Sequence, residues 1–351
     1  MLYIVLSRIF MLKNFENYEF LNGQNFSKIA DVVFSINVPN EDLSNFNSDE
    51  YKIISKNQNF TGLKLKNLKI KNGDIIFCNS SYLSLFFSYL NRLKRITTLT
   101  LITSQSDFSV TKDMFINKPS CITKWYAVNV DFKDDNLIPI PLGLANNYSS
   151  KNIRINDLLN YKFENVNKEN KLYVNLRKST NYKERENIEN LFKNKDWVVI
   201  KEPTLSIDEY IKDLNKYKFI FCPWGNGFDT HRIWEALYCG SIPITKSHIG
   251  LSFDNLPIIS FENFDDLSIE KLLAESDKKE FDSETLNLKY WKQLIKSNVS
   301  LNNEISESIE EIKYLEFLFW NQIRIASFIN SKIKIIKFYI KKLLKKLNNP
   351  L

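Results

Sequence analysis

The stretch Lys218–Thr245, KFIFCPWGNGFDTHRIWEALYCGSIPIT, restricts the fold more than any other part of the chain. Phe219–Cys222 is an apolar run of strand length, followed by a turn-forming loop, Pro223–Phe228. A helix is expected from about Asp229 to Tyr238, with Gly240 as its C-terminal stop, and Ile242–Thr245 reads as a second strand. Strand, loop, helix and strand with short connections form the repeating unit of a parallel α/β sheet. The loop is the chemical part. Gly225 and Gly227, with Asn226 between them, let the backbone turn sharply and let a ligand approach closely. Asp229 or Thr230 can cap the helix, whose free N–H groups favour an anion. His231, Arg232 and Glu235 lie in the first turn and a half, and Arg232 and Glu235, three apart, share one face. A cation, a carboxylate and a helix N-terminus together suit a phosphorylated, hydroxyl-rich ligand such as a nucleotide sugar.

The rest of the chain continues the alternation. At 351 residues the length favours about two domains. In the first half, strands are expected at Tyr3–Leu6, Asp31–Ile36, Asp74–Cys78 and Thr98–Thr103, and a buried helix at Tyr82–Leu93. The polar, Asn-rich segment Glu41–Lys71 reads as loops and short elements. Asp107 closes the run SQSD after a predicted strand, where open α/β sheets bind ligands. It is the candidate base for a reaction there, with a helix cap or turn as the plain alternative. Ile138–Leu144, IPIPLGL, reads as the last strand of this half, with Gly143 at its exit. The first domain is expected over 1–145, and the patternless stretch 146–170 is the linker.

The second domain, 171–285, opens with a strand at Leu172–Leu176 and a helix over about Tyr182–Phe192. Between them lies Arg177-Lys178-Ser179-Thr180. A basic, hydroxyl-bearing turn before a helix suits a diphosphate, and Arg177 and Lys178 are its candidate ligands. Further elements are expected at Trp197–Lys201, Ser206–Leu214 and Pro257–Ser260. Segment 286–323 is helical and expected to pack back on the body.

The tail 324–351 differs. It holds one Arg and seven Lys and no acidic residue, so it accounts for all of the chain's +7 and leaves the rest near neutral. That balance argues against a nucleic-acid-binding body, which would need a basic face of its own. Ile329, Ile333, Ile336, Ile340, Leu343 and Leu347 make a narrow stripe with lysines mostly opposite. A basic amphipathic helix of this kind fits an anionic membrane surface; a coiled-coil stripe or a docked helix is the alternative. The N-terminus has its charge after its apolar run and no small-residue cleavage site, so no signal peptide is expected. Cys78, Cys121, Cys222 and Cys239 form no C-x-x-C pair, and His231 and His248 are the two histidines, so no metal site is expected.

The run G-x-G-x-D-T-H-R-x-W-E-A-L-x-x-G-x-I-P, Gly225–Pro243, resembles the C-terminal signature of exostosin-like glycosyltransferases. Its W-E-A-L-x-x-G-x-x-P core is similar to that of other GT-B transferases, such as the fucosyltransferase-like ones. The resemblance implies a GT-B fold: two Rossmann-like domains facing a cleft, with C-terminal helices that cross back. It implies a nucleotide-sugar donor held by the second domain and a saccharide or lipid-linked acceptor in surface glycan synthesis. It further implies inversion at the sugar carbon and no metal or other cofactor. Arg232, Arg177 and the Gly225–Gly227 loop are then assigned to the phosphates, Glu235 to donor hydroxyls, Asp229 and Thr230 to the helix start, and His231 to the donor or leaving group. The location expected is cytoplasmic, peripheral to the inner membrane face. Rival readings are an inactive membrane-bound scaffold or another Rossmann nucleotide-sugar enzyme. The second lacks a G-x-G-x-x-G, because Thr230 stands where the third glycine would be.

Overall fold

A computed structural model describes residues 18–164, 167–253, 255–279, 282–299 and 304–325, together with Phe328 and Lys332. The expected strand Tyr3–Leu6 and the whole of the tail stripe, Ile329 to Leu347, lie outside these residues. The first half contains β1 (Val32–Pro39), β2 (Tyr51–Lys56), β3 (Phe60–Leu65), β4 (Leu68–Lys71), β5 (Ile75–Asn79), β6 (Leu99–Ser104), β7 (Ile122–Ala127) and β8 (Leu137–Pro139). Seven of them form one sheet in the order β2-β3-β1-β5-β6-β7-β8. From β1 to β8 all neighbours are parallel, while β3 runs antiparallel to both β1 and β2. Every residue of β5 and β6 is buried, as expected for central strands covered on both faces.

The second half contains β9 (Glu169–Val174), β10 (Val198–Ile200), β11 (Tyr217–Phe221), β12 (Ile242–Lys246) and β13 (Ile259–Phe261). They form an all-parallel sheet in the order β10-β9-β11-β12-β13. The chain goes outward from β9 to β10, then crosses back to β11 on the other side. That reversal places a crevice outside the carboxyl ends of β9 and β11.

After β13 the chain returns to the first half. Within the segment 286–323, expected to be helical, strand β14 (Ser306–Ile309) instead pairs antiparallel with β4. The helical stretch 313–325 buries Leu315 and Phe319 in the core of the first sheet. Glu316 ion-pairs with Lys52 at 2.8 Å and with the fully buried Lys64 at 3.0 Å. The Lys64 ammonium also sits 5.1 Å from the Tyr89 ring centroid. No described helix is long and apolar enough to cross a membrane.

The two sheets share one apolar cluster. It runs from Ile36, Phe77 and Tyr126 through the helix His231–Tyr238 to Tyr173 and Ile220. That helix is buried on several sides, because Ile233, Trp234, Ala236, Leu237 and Tyr238 are all apolar and all inside. Its end matches expectation. Gly240 takes φ +69°, its N–H bonds to Leu237 O, and Ser241 N–H bonds to Ala236 O. This six-to-one and five-to-two pairing is a Schellman stop, which needs the left-handed backbone glycine allows.

Several elements differ from expectation. Glu41–Lys71 holds three strands rather than mainly loops, and β7 was not expected. The helix expected over Tyr182–Phe192 is two short helices, Tyr182–Arg185 and Ile188–Phe192. Of Ile138–Leu144, Ile138 and Pro139 are in strand; Gly143, at φ +74°, instead packs against the Leu21 carbonyl.

Candidate functional site

The loop 223–230 leaves the carboxyl end of β11 and feeds the helix His231–Tyr238. It lies at the reversal between β9 and β11, beside the turn 177–181 that leaves β9. The two are stitched by Arg185, which is 4 % exposed. Its guanidinium donates to the carbonyls of Trp224 (3.2 Å), Pro223 (3.3 Å) and Arg177 (3.0 Å). Asn181 Nδ2 adds a bond to Gly225 O at 2.9 Å. Burial, reinforced by the nearby Arg232 cation, brings the Arg185 guanidinium down to about 10. It is held by neutral carbonyls alone, and its position organises both loops.

Arg232 donates through Nε to the Tyr210 hydroxyl at 3.2 Å. Tyr210 in turn donates to Glu235 Oε2 at 3.1 Å. Burial and the Glu235 charge hold the Tyr210 phenol well above its ordinary range, so it remains a proton donor. Among the described residues, the terminal nitrogens of Arg232 have no protein acceptor, and none of Arg177, Arg185 and Arg232 pairs with a carboxylate. Arg177 is exposed and lines a cavity of about 320 Å³ with Ser179, Arg185, Glu189, Lys201 and Glu202. The Lys178 side chain lies outside the described residues.

The N-terminus of the helix is open. Thr230 is its N-cap, yet makes no side-chain cap bond, and its Oγ1 is buried without a partner. Trp224 Nε1 is also buried and unpartnered. Buried polar atoms are normally satisfied, so two orphans on one loop mark a place shaped for a polar ligand. Arg185 lies against Gly225 beside Thr230, and Arg232 sits in the first turn of the helix; Arg177 lines the neighbouring cavity. That arrangement can hold an anion with several oxygens.

Other expected residues have structural duties. Glu235 is 1 % exposed and accepts from Ile153 N–H at 3.0 Å, Asn152 Nδ2 at 3.4 Å and Tyr210. Its carboxylate therefore faces the segment after the first sheet, not the open end of the loop as expected. Asp229 does not cap the helix. It accepts from Leu142 N–H at 2.8 Å and from Trp234 Nε1 at 2.7 Å, tying the two halves together. Burial pushes this carboxyl up to about 7. His231 Nδ1 donates to the Gly143 carbonyl at 2.8 Å, another tie between the halves.

The glycines also differ from expectation. Neither Gly225 nor Gly227 has positive φ. A Cβ on Gly227 would lie 2.7 Å from Asn129 Nδ2, so this glycine admits a side chain from the first half. A Cβ on Gly225 would meet only ordinary contacts of 3.4 Å and beyond.

The first sheet supplies residues that sequence reading missed. Asn129 follows β7 with φ 54°, is 2 % exposed, and accepts the Asp229 N–H at 3.0 Å. Its Nδ2 has no partner. One signal was available: apolar runs end in an asparagine at Asn79, Asn129 and Asn175, all at carboxyl edges of parallel strands. Asp107 is exposed and accepts from Asn226 Nδ2 at 3.1 Å, so the expected base does meet the expected loop.

Residues 156–255 match the family model described as the RXYLT1 C-terminal domain. The matched stretch contains β9 to β12, the turn bearing Arg177, and the whole loop and helix of the site. It is similar to that domain over less than a third of the chain, and the match suggests a glycosyltransferase. No curated protein sequence matches the chain.

Proposed function

We propose that this protein is a GT-B glycosyltransferase that moves a sugar from a nucleotide-sugar donor to a saccharide or lipid-linked acceptor, with inversion and without a metal. The carrying observation is Arg232 at the start of the helix His231–Tyr238, its terminal nitrogens without a protein acceptor among the described residues, beside the loop that the buried Arg185 holds at the β9/β11 reversal. A nucleoside diphosphate fits this charge. Its phosphates would lie against Arg232 and the first N–H groups of the helix, and its nucleoside toward the 320 Å³ cavity beside Arg177.

In the reaction, an acceptor hydroxyl attacks the anomeric carbon as the bond from that carbon to the diphosphate oxygen breaks. The electron pair leaves with the diphosphate, whose charge grows in the transition state. Fixed guanidinium groups and backbone N–H groups stabilise it there. The acceptor proton passes to Asp107, the carboxylate that the first sheet brings to Asn226. In this proposal Glu235 positions Arg232 through Tyr210 rather than touching sugar hydroxyls. In this proposal the enzyme works on the cytoplasmic side, peripherally associated with the inner face of the membrane.

The test is release of nucleoside diphosphate from a panel of nucleotide sugars, with and without EDTA. The proposal expects turnover with at least one donor, retained in EDTA and lowered about 100-fold by Arg232→Ala, the cost of one lost transition-state contact. Activity that needs added Mn²⁺ or Mg²⁺ would count against it.

A further inference from the structure

The helical stretch 313–325 has two apolar faces, and the fold uses one. Leu315 and Phe319 pack inward on the first sheet, and Glu316 anchors the helix to Lys52 and Lys64. On the outer side, Tyr314 is 64 % exposed, Phe317 60 %, Leu318 38 % and Ile325 60 %. At helical spacing these four fall within about 100° of arc. A row of large apolar side chains rigidly held on the surface marks an interaction face.

The charge around this row selects its partner. After Glu316 the chain has no acidic residue to its end, while one Arg and seven Lys follow. A second copy docked through the same face would bring two such basic segments together, because a two-fold contact is self-complementary. An anionic lipid surface meets both features at once. Aromatic and aliphatic side chains enter the headgroup boundary, and lysines bind the lipid phosphates. We propose that the outer face of 313–325 is a membrane-docking surface for anionic phospholipid. The inner face, fixed through Glu316, would set how the body stands on the membrane. This deepens the membrane association proposed above by naming the surface that makes it, and it does not depend on the donor site, since the site residues lie elsewhere.

Flotation with vesicles tests it. The full-length chain is mixed with phosphatidylcholine vesicles that contain or lack phosphatidylglycerol, and bound protein is measured in low and high salt. Binding is expected only with phosphatidylglycerol, weakened by salt. Tyr314→Ser/Phe317→Ser should lower the bound fraction about tenfold with the basic tail intact. Ile116→Ser, which removes an equally exposed side chain (65 %) from the separate short helix Lys112–Ile116, should change nothing. Failure of the full-length chain to float, or equal binding by the double variant, overturns the proposal. So does a dimer in light scattering that the double variant splits into monomers, since a second copy would then cover the face.

Discussion

At the scale of single residues, Asp229 has the most readable consequence. Its carboxyl is held at about 7 against an ordinary value of 3.8, because burial outweighs the hydrogen bonds it accepts from Leu142, Trp234 and Thr230. The folded protein therefore keeps the Asp229 proton at pH values where the unfolded chain has released it. Stability from this group is fully present below the ordinary value, falls as pH rises toward 7, and is lost above it. The slope is at most about 1.4 kcal/mol per pH unit. Asp229→Asn cannot titrate, so its urea midpoint should fall less than that of the natural protein between pH 5 and pH 8. Equal slopes in both would remove Asp229 as the source. The same residue shows a limit of sequence reading. An aspartate before a helix reads as a cap, and its true partners, Leu142 and Trp234, include one 87 residues away.

At the scale of elements, the loop 223–230 separates two roles for glycine. Gly227→Ala should push Asn129 away and weaken its bond to Asp229, at a cost of about 1–3 kcal/mol in unfolding free energy. Gly225→Ala should stay near neutral in the same measurement, because its neighbours stand at ordinary distance. Equal effects would mean that the loop, not Asn129, sets the glycine requirement. The strand, loop and helix of this block were legible because a buried parallel strand, a proline–glycine loop and a Gly240 stop are local patterns. The antiparallel strands β2 and β3 were not, because their lysines, Ser55, Thr61 and Gly62 hide the alternation. Lys64 shows why: a charged residue inside a strand reads as outward-facing, yet it is fully buried against Glu316, 252 residues later. The site divided the same way. Arg177, Arg232, Asn226 and Asp107 were legible from loops at strand ends. Tyr210 and Asn129 were not, and Arg185 read only as a lesser cation beside Arg177, since their importance comes from contacts between distant segments.

At the scale of the whole molecule, the chain leaves the first sheet, builds the second and returns, and the return is fastened by a buried ion pair. Removing Glu316 leaves the Lys64 ammonium buried without its carboxylate, so Glu316→Ala should cost about 3–5 kcal/mol. Glu311→Ala, which removes one of the two carboxylates on the partly exposed Lys52 and leaves Glu316 on Lys64, should cost under about 1 kcal/mol. Thermal or urea unfolding checks both, and similar losses would contradict the assigned geometry. The fastened halves bring Asp107 and Asn129, which follow strands of the first sheet, to the loop 223–230 of the second, and the central claim is that this loop holds the diphosphate of a sugar donor. The most direct measurement is calorimetric titration of the full-length chain with uridine, guanosine, cytidine, adenosine and thymidine diphosphates, and with the matching nucleosides. The account predicts that at least one diphosphate binds, that its nucleoside binds far more weakly, and that Arg232→Ala weakens the diphosphate by about tenfold or more while the fold survives. Absence of binding by every diphosphate, or binding that Arg232→Ala leaves unchanged, would contradict it.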